Sequence, residues 1–384
     1  MTFDKSADLF PIKNKMTFLA HCSISPLYSR GAERSIELIR EQQYKGFTSF
    51  GRYYFEELEQ LKLYSAQLLH TRPENMAAVK NTSEALSMVA NGYPFEPGDE
   101  VISYIHEYPA NHYPWRLQER RGVKLKLLDN IPSRADIDTN LPGSWSMKQL
   151  ERAITPKTKV IALSHVQFTS GYAADLAALG KLCKEHDIDL IIDAAQSLGS
   201  MPIDPEKYHI AALASAGWKW LMGPFGTGLF YTSPDFRAKL QPVQVGAEMM
   251  QQGMDFLDHS WHPYESAKRF EYSSSPVIVL SALRMAVQEI HAHYGAEALF
   301  DEILRLQDIF LENLDNPAFK PLVFEKPHRS GILSLTYHDL EGLTEVLKQK
   351  KTACSARGGY LRVAPHFYNT ERDMKQLAEV LNNM

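Results

Sequence analysis

The chain has 384 residues, 44% of them hydrophobic, and a formal net charge of −5 with acidic and basic side chains interspersed. This length predicts one large domain with a smaller one, and the lack of a long Lys/Arg run argues against a nucleic-acid partner. Cys22, Cys183 and Cys354 lie far apart without metal-binding spacing, which favours a reducing, cytoplasmic location. No leader-like start or run of eighteen apolar residues occurs, so we expect no membrane partner.

Apolar runs and their periodicity predict strands alternating with helices along the chain. The clearest unit is a β-α-β unit near the middle, and such units build parallel sheets whose ligand sites lie at the carboxyl ends of the strands. We therefore expect an α/β fold with Asp193 at such an end. The predicted strands are 76–80, 100–105, 159–164, 187–192, 331–337 and 359–363, and the predicted helices begin near Thr82 and cover 175–186, 277–294 and 371–384.

The stretch from Ile191 to Tyr231 places an acid, an amide and an amine in order, followed by several glycines. A pyridoxal cofactor needs a carboxylate against its ring nitrogen, which Asp193 can supply, while Gln196 can reach the ring hydroxyl. Its aldehyde needs a lysine whose amine can lose its charge, and Lys219 stands between two tryptophans. The plainer readings are an Asp193 that caps the next turn and a Lys219 on the solvated surface.

A phosphate group and an aromatic face complete such a site. Thr82 and Ser83 stand at a predicted helix start, where backbone N–H groups bind phosphate, although ordinary helix capping explains the same residues. Tyr108, in a loop after the strand 100–105, can cover the cofactor ring, or it can serve simple packing.

Other chemistries lack support in the sequence. His106 and His112 are six positions apart rather than four, so they do not form the paired histidines of a zinc protease motif. His291 and His293 are two apart on a predicted helix, where side chains diverge, and we expect both to be solvated. We therefore predict no metal site. No G-x-G-x-x-G joins a strand to a helix, which argues against a nicotinamide dehydrogenase.

Taken together, these residues resemble the class V aminotransferase family of fold-type I pyridoxal phosphate enzymes, including its isopenicillin N epimerase-like and cysteine desulfurase-like branch. The resemblance extends over nearly the whole chain in seven ordered blocks. It implies a large domain over 15–285 with a mostly parallel seven-stranded sheet, and a smaller α+β carboxyl-terminal domain over 286–384 together with 1–14. The blocks begin at Phe18, Asn81, Glu107, Ser164, Ile191, Arg269 and Leu361.

The resemblance also implies a role for each candidate residue. Lys219 would carry pyridoxal 5'-phosphate as an aldimine and act as acid and base at the substrate α-carbon. Arg362 would bind a substrate carboxylate, a task suited to its planar fork, against the plainer reading of a surface ion pair. In a homodimer with shared active sites, Ser275 would reach the phosphate of the partner subunit. The remaining cofactor contacts would be Thr82, Ser83, Tyr108, Asp193 and Gln196.

Departures from the family pattern narrow the expected activity. Family members that act as desulfurases carry a catalytic cysteine on a loop before the arginine, whereas only Gly358-Gly359-Tyr360-Leu361 separates Arg357 from Arg362. Cys354 is read as a small packed residue. Trp218 replaces the histidine that often precedes the lysine, and His165 is expected to line the pocket on the family pattern.

The sequence thus predicts a pyridoxal phosphate enzyme acting on an amino acid or related amine, with aminotransferase- or epimerase-like chemistry. The alternatives are a C–S or C–C lyase of kynureninase or desulfurase type, and a non-catalytic binding protein that keeps the fold. Substrate choice is expected to rest on the loops 20–25, 47–52 and 246–262.

Overall fold

A seven-stranded sheet forms the centre of the molecule, whose computed structural model describes residues 2–48, 50–132 and 140–384. The strands are β1 Thr17–Phe18, β2 Met76–Val79, β3 Glu100–Tyr104, β4 Lys124–Leu128, β5 Thr158–Ser164, β6 Asp189–Asp193, β7 Ile210–Ala216, β8 Gly228–Thr232, β9 Lys320–Pro321, β10 Leu333–Thr336, β11 Thr352–Ala353, β12 Ser355–Arg357 and β13 Tyr360–Val363. The helices are α1 Ser29–Lys45, α2 Phe50–Leu68, α3 Thr82–Gly92, α4 Tyr113–Arg116, α5 Met147–Ala153, α6 Leu176–Glu185, α7 Pro234–Lys239, α8 Val277–Ala286, α9 Ala296–Asn313, α10 Leu340–Gln349 and α11 Glu371–Asn382.

The large sheet has the strand order β2-β8-β7-β6-β5-β3-β4. Strand β8 runs antiparallel to both neighbours, and every other pairing is parallel. The register places Ser164 beside Asp193, and Asp193 beside Ala214. The ends of three neighbouring strands therefore meet at one edge. The predicted α/β fold of type I with a mostly parallel seven-stranded sheet is confirmed.

The unit β5-α6-β6 shows why its helix could be predicted from the sequence pattern. Asp175 caps α6, because its Oδ1 accepts hydrogen bonds from the backbone N–H groups of Ala177 and Ala178, each at 3.0 Å. Leu179 and Cys183 on the inner face are buried against the sheet. The helix is one residue shorter at each end than predicted, since Asp175 caps it from outside and His186 follows its last turn.

A second, smaller sheet lies in the carboxyl-terminal part, with the order β12-β13-β10-β9 and antiparallel pairing throughout. Leu335 and Leu361 from this sheet pack with Phe310 of α9 and Leu377 of α11 in a core of their own. Strand β1 pairs with β11, so the amino-terminal segment joins this part of the molecule. The domain boundary predicted at 285/286 falls inside continuous helix and stays a prediction, because α8 runs on into a π-helical segment over 287–292.

That π-helical segment overturns one expectation. His291 is fully buried rather than solvated, while His293 is exposed. The wider turn carries the His291 ring inward, towards the ring of His366 at a centroid distance of 6.1 Å. Burial lowers the pKa of His291 to about 3, so the ring is neutral.

Three helices outside the sheet meet at a single buried acid, Glu57 of α2. Its carboxylate accepts from Arg34 Nε at 2.7 Å and from Arg284 Nε at 2.8 Å, which joins α1 and α8 through α2. Within the described ranges, no helix combines the length and apolar character that crossing a membrane requires.

Candidate active site

A cavity of about 360 Å³ opens at the carboxyl ends of β5, β6 and β7. It gathers six of the eight predicted site residues from four separate stretches of the chain, and the remaining two, Ser275 and Arg362, lie outside its wall. The wall is formed by Asn81, Thr82, Ser83, Tyr108, Ala110, Ser164, Val166, Phe168, Asp193, Ala195, Gln196, Ala216, Trp218 and Lys219.

Lys219 lies in the connection 217–227 between β7 and β8. Where this connection enters β8, the paired strands lie close together, because a Cβ added to Gly228 would stand 2.7 Å from the carbonyl oxygen of Ser215. The Lys219 Nζ lies 5.4 Å from the ring centre of Tyr108. Burial lowers the pKa of Lys219, although the nearby Asp193 opposes the shift. The neutral amine needed for attack on an aldehyde is thereby favoured.

Asp193 ends β6 and is buried at the cavity wall. Its Oδ1 accepts from the backbone N–H of Ala195 at 2.9 Å, so the plainer turn-capping reading holds for one oxygen. Burial raises the pKa of Asp193, opposed by that hydrogen bond and by Lys219. A buried carboxylate with no cation bound directly to it among the described residues suits a protonated ring nitrogen.

Gln196 lies in the turn after β6 with both ends of its amide engaged. Nε2 donates to the carbonyl oxygen of Cys22 at 2.9 Å, and Oε1 accepts from the indole Nε1 of Trp220 at 3.2 Å. The loop 20–25, expected to influence substrate choice, therefore reaches the site. Ser25 N–H also donates to the carbonyl oxygen of Trp218 at 2.9 Å.

The start of α3 supplies the predicted phosphate site. Capping is performed by Asn81, whose side chain accepts from Glu84 N–H at 2.9 Å, so Thr82 and Ser83 are not the caps. The Thr82 hydroxyl is buried at the cavity wall without a hydrogen-bond partner. A free hydroxyl and free N–H groups at a helix start are the donors that a phosphate accepts from.

Tyr108 is 39% exposed, too open for a core residue, and packs edge-on against Phe168 with ring centres 5.2 Å apart. Glu107, directly before it, is buried and accepts from Ser164 N–H at 2.8 Å and from Gln167 Nε2 at 2.9 Å, with a further bond from the Ser164 hydroxyl. Burial raises the pKa of Glu107 to about 7. No role was predicted for Glu107 from the sequence, although an acid directly before the candidate ring-covering tyrosine was the available signal.

Arg362 in β13 is 2% exposed, which excludes the surface ion pair. Its Nη1 donates to the carbonyl oxygen of Phe168 and its Nη2 to the Ser355 hydroxyl, each at 2.6 Å, while the buried Nε has no partner. No carboxylate of the described residues pairs with it. The guanidinium contacts the back of the cavity wall through Phe168, and burial lowers its pKa.

Ser275 lies outside this cavity within the chain. Its N–H donates to the hydroxyl of Tyr54 at 2.6 Å, and it lines a smaller hollow beside Lys80. Its predicted contact with a partner's phosphate stays a prediction, as do the roles assigned to the other site residues.

The turn between β12 and β13 is a two-residue hairpin. Arg357 pairs with Tyr360, and both intervening residues have positive φ, +58° at Gly358 and +84° at Gly359. No room for a cysteine-bearing loop remains there. Cys22 and Cys354 are not among the cavity-wall residues, and burial raises the pKa of both thiols. Cys354 is partly buried against the carboxyl-terminal core.

The expectation for His165 is wrong, and the one for the loop 47–52 falls partly outside the described residues. His165 does not line the cavity, because strand alternation turns Ser164 and Val166 to the wall and the His165 ring away from it. The predicted loop 47–52 contains Ser49, which lies outside the described residues, and α2 already begins at Phe50. No group of three or more potential metal ligands was found in the described ranges.

The fold and this site define a protein of the pyridoxal phosphate transferase type. The family model for aminotransferase class-V matches residues 39–377, and the chain belongs to that family. Pyridoxal 5'-phosphate is the cofactor of the family, so the predictions of an enzyme and of this cofactor are confirmed.

Individual relatives are distant, but each of those named below covers at least 90% of this chain. An uncharacterized aminotransferase of Bacillus subtilis (strain 168), YcbU, is 25% identical over 96% of this chain and 94% of its own length. A probable cysteine desulfurase of Pyrococcus abyssi is 25% identical over 90% of this chain and 87% of its own length. The apo cysteine desulfurase of Thermococcus onnurineus NA1 shares the fold with a TM-score of 0.87 at 21% identity, covering 100% and 98%. The cystine C–S lyase C-DES, in complex with cysteine persulfide, shares the fold with a TM-score of 0.87 at 21% identity. The match covers 97% of this chain and 99% of C-DES.

The residues present fit the cofactor of the family. Thr82 offers an unpartnered buried hydroxyl for the phosphate, Asp193 a carboxylate for the ring nitrogen and Lys219 an amine of lowered pKa for the aldehyde. When bound, the cofactor supplies the electron sink that stabilises negative charge at the substrate α-carbon.

Proposed function

We propose that this protein is a pyridoxal phosphate-dependent enzyme that moves a proton at the α-carbon of an amino acid, with aminotransferase-like chemistry. The observation that carries the proposal is the titratable content of the cavity wall, which consists of Tyr108, Asp193 and Lys219 among the described residues. With Asp193 reserved for the ring nitrogen, Lys219 is the amine among the described wall residues that can take a proton from the α-carbon and return it elsewhere.

Transamination needs a single base on one face, which Lys219 provides. Epimerisation needs a second proton donor on the opposite face, and Tyr108 is the side chain available for it. Arg362 is the group proposed to bind the substrate carboxylate, because it is buried without an acidic partner and can present a charged donor to an anion.

A C–S or C–C lyase is the second candidate, favoured by the relatives that are named cysteine desulfurase and by the fold shared with a cystine C–S lyase. Elimination from the β-carbon starts with the same proton removal by Lys219. Desulfuration through an enzyme persulfide is less supported, since the hairpin at Gly358 and Gly359 leaves no cysteine loop at Arg362.

The products separate these reactions. Purified protein is incubated with single amino acids, with and without a 2-oxo acid acceptor. A transaminase forms the substrate's oxo acid over many turnovers only with the acceptor, because without it the reaction stops after one equivalent per enzyme. A C–S lyase releases ammonia or sulfide without an acceptor, and a C–C lyase releases two fragments of the substrate's carbon chain. An epimerase changes only the stereochemistry. Failure to bind pyridoxal phosphate at all would contradict every form of the proposal.

Lys219→Ala should abolish the borohydride-sensitive absorbance of the bound cofactor and reduce kcat by about 10²- to 10⁴-fold or more, because proton transfer is lost. Lys207→Ala is the matched control. Lys207 also has its Nζ 5.4 Å from a tyrosine ring centre, that of Tyr208, but it is exposed and remote from the cavity wall. Equal kcat in Lys219→Ala and Lys207→Ala would remove the assigned role.

The site is proposed to be completed in a cytoplasmic homodimer, with Ser275 reaching the partner's cofactor. Exposed apolar side chains support an interface, since Met254, Leu257 and Trp261 are 76%, 90% and 59% exposed in one segment. Light scattering of the purified protein should give twice the chain mass of 43.6 kDa, and a monomer would contradict the shared site.

A further inference from the structure

Trp220, directly after Lys219, contacts the cofactor site through one polar atom. Its side chain is fully buried, and its indole Nε1 lies 3.2 Å from Gln196 Oε1. An indole N–H can only donate, so the atom of Gln196 that faces it must be the amide oxygen.

The other end of the Gln196 amide gives an independent check on this orientation. It lies 2.9 Å from the carbonyl oxygen of Cys22, which can only accept, so this end must be the NH₂ group. A flipped amide would set two donors against each other at Trp220 and two acceptors against each other at Cys22. The amide is therefore held in one orientation by neighbours of opposite kind.

Trp220 is itself fixed from behind. His366 Nδ1 accepts from the Phe367 N–H at 2.9 Å, so the ring proton is on Nε2, which donates to the Trp220 carbonyl oxygen at 3.0 Å. His366 is fully buried, and burial lowers its pKa to about 4, which keeps this tautomer neutral. The orientation of the amide is thus anchored to the loop between β13 and α11.

We propose that Trp220 is a positioning residue that fixes the amide of Gln196 so that its second N–H, rather than its oxygen, is directed to the ring oxygen of the cofactor. The inference rests on the proposed function of this site. Gln196 Nε2 carries two hydrogens and Cys22 takes one, which leaves the other for the cavity that Gln196 lines. A donor stabilises negative charge on the ring oxygen, whereas an amide oxygen in its place would repel it.

The spectrum of the bound cofactor reports this charge without any substrate. The proton shared between the Lys219 nitrogen and the ring oxygen is lost more easily when a donor stabilises the oxygen left behind. Absorbance of the holoenzyme is therefore followed against pH, and its midpoint is compared between variants. Trp220→Phe removes the indole N–H and keeps an aromatic side chain, so the midpoint should rise by about one pH unit.

Two further variants make the test decisive. Gln196→Glu keeps the acceptor for Trp220 but loses the N–H, so its midpoint should rise at least as far. Trp145→Phe removes another buried indole, one whose Nε1 has no partner and which lies outside the cavity wall, and should leave the midpoint unchanged.

The possible outcomes are distinct. A Trp220→Phe holoenzyme with the wild-type midpoint overturns the inference, as does a folded variant that no longer holds the cofactor, because one amide orientation does not decide occupancy. Where Trp220→Phe does not fold, an unchanged midpoint in Gln196→Glu overturns it. A wild type that binds no pyridoxal phosphate contradicts the proposed function instead.

Discussion

Two buried groups of charges in this molecule are built in opposite ways. At the junction of α1, α2 and α8, Glu57 is 3% exposed and its two oxygens are bound by the guanidinium groups of Arg34 and Arg284. At the cavity wall, Asp193 has a backbone N–H as its hydrogen-bond donor. Behind that wall, Arg362 donates only to neutral oxygens.

The difference separates charges that hold the fold from charges that await a ligand. A buried charge left without a counter-charge costs free energy, so it persists where a ligand supplies the missing partner. Glu57 already has its cations. Arg362 has no carboxylate partner within the described residues, and burial lowers its pKa. An anionic group of the substrate would supply the missing negative charge and stabilise the charged guanidinium.

The largest expected effect concerns the paired group. Glu57→Gln leaves Arg34 and Arg284 facing each other without the carboxylate, and should lower the free energy of unfolding by about 3–5 kcal/mol. Chemical denaturation measures the loss. Well below the melting temperature, the variant should keep the wild-type absorbance of the bound cofactor and the wild-type KM, because Glu57 lies outside the cavity wall.

The control for Glu57 is a pair at the surface. Glu119 bonds Arg116 at 3.0 Å, with the two side chains 41% and 62% exposed, so Glu119→Gln should change stability by no more than about 1 kcal/mol. Similar losses in both variants would show that burial does not set the contribution of the pair.

The unpaired cation should show the reverse pattern. Arg362→Ala removes a charged donor from the substrate, worth about 1.5–3 kcal/mol, and should raise KM about 10- to 100-fold for amino acids. Amines without a carboxylate should be unaffected. Arg329→Ala is the control, since Arg329 already bonds Asp308 at 2.7 Å and lies elsewhere. An equal rise in KM for both substrate classes would count against carboxylate binding by Arg362.

The sequence predicted the groups of the cavity better than the contacts that orient them. Asp193, Gln196 and Lys219 could be predicted because the chemistry of one cofactor requires them. The unit β5-α6-β6 could be predicted because its apolar periodicity is regular and Asp175 marks the start of α6. Both depend on neighbours within about forty residues in the chain.

Contacts between residues far apart in the chain could not be predicted from the sequence. Arg284 meets Glu57 across 227 positions, and Gln196 meets Cys22 across 174, so no local pattern signals either pair. Helix α1 was missed because Ile36 and Ile39 remain 47% and 51% exposed, which blurs its apolar face. His291 was placed wrongly because a π-helical turn shifts the face on which a side chain lies.

Glu107 is an intermediate case between these two groups, since it is buried and fully hydrogen-bonded but by neutral donors alone. Burial raises the pKa of Glu107 to about 7 from its ordinary value of 4.5, so the folded state favours the protonated form. Its contribution to stability is therefore complete below pH 4.5 and is lost as the pH rises to 7 and above. Glu107→Gln does not titrate.

The melting temperature of wild type, relative to that of Glu107→Gln, should therefore fall between pH 5 and pH 8. Scanning calorimetry of both proteins at several pH values measures this difference, and Glu119→Gln should follow the wild-type profile. Parallel profiles for Glu107→Gln and wild type would mean that Glu107 is ionised in the folded protein throughout this range. In that event a buried acid would need no cation to stay charged, and the absence of a partner would lose its value as a mark of the ligand site at Arg362.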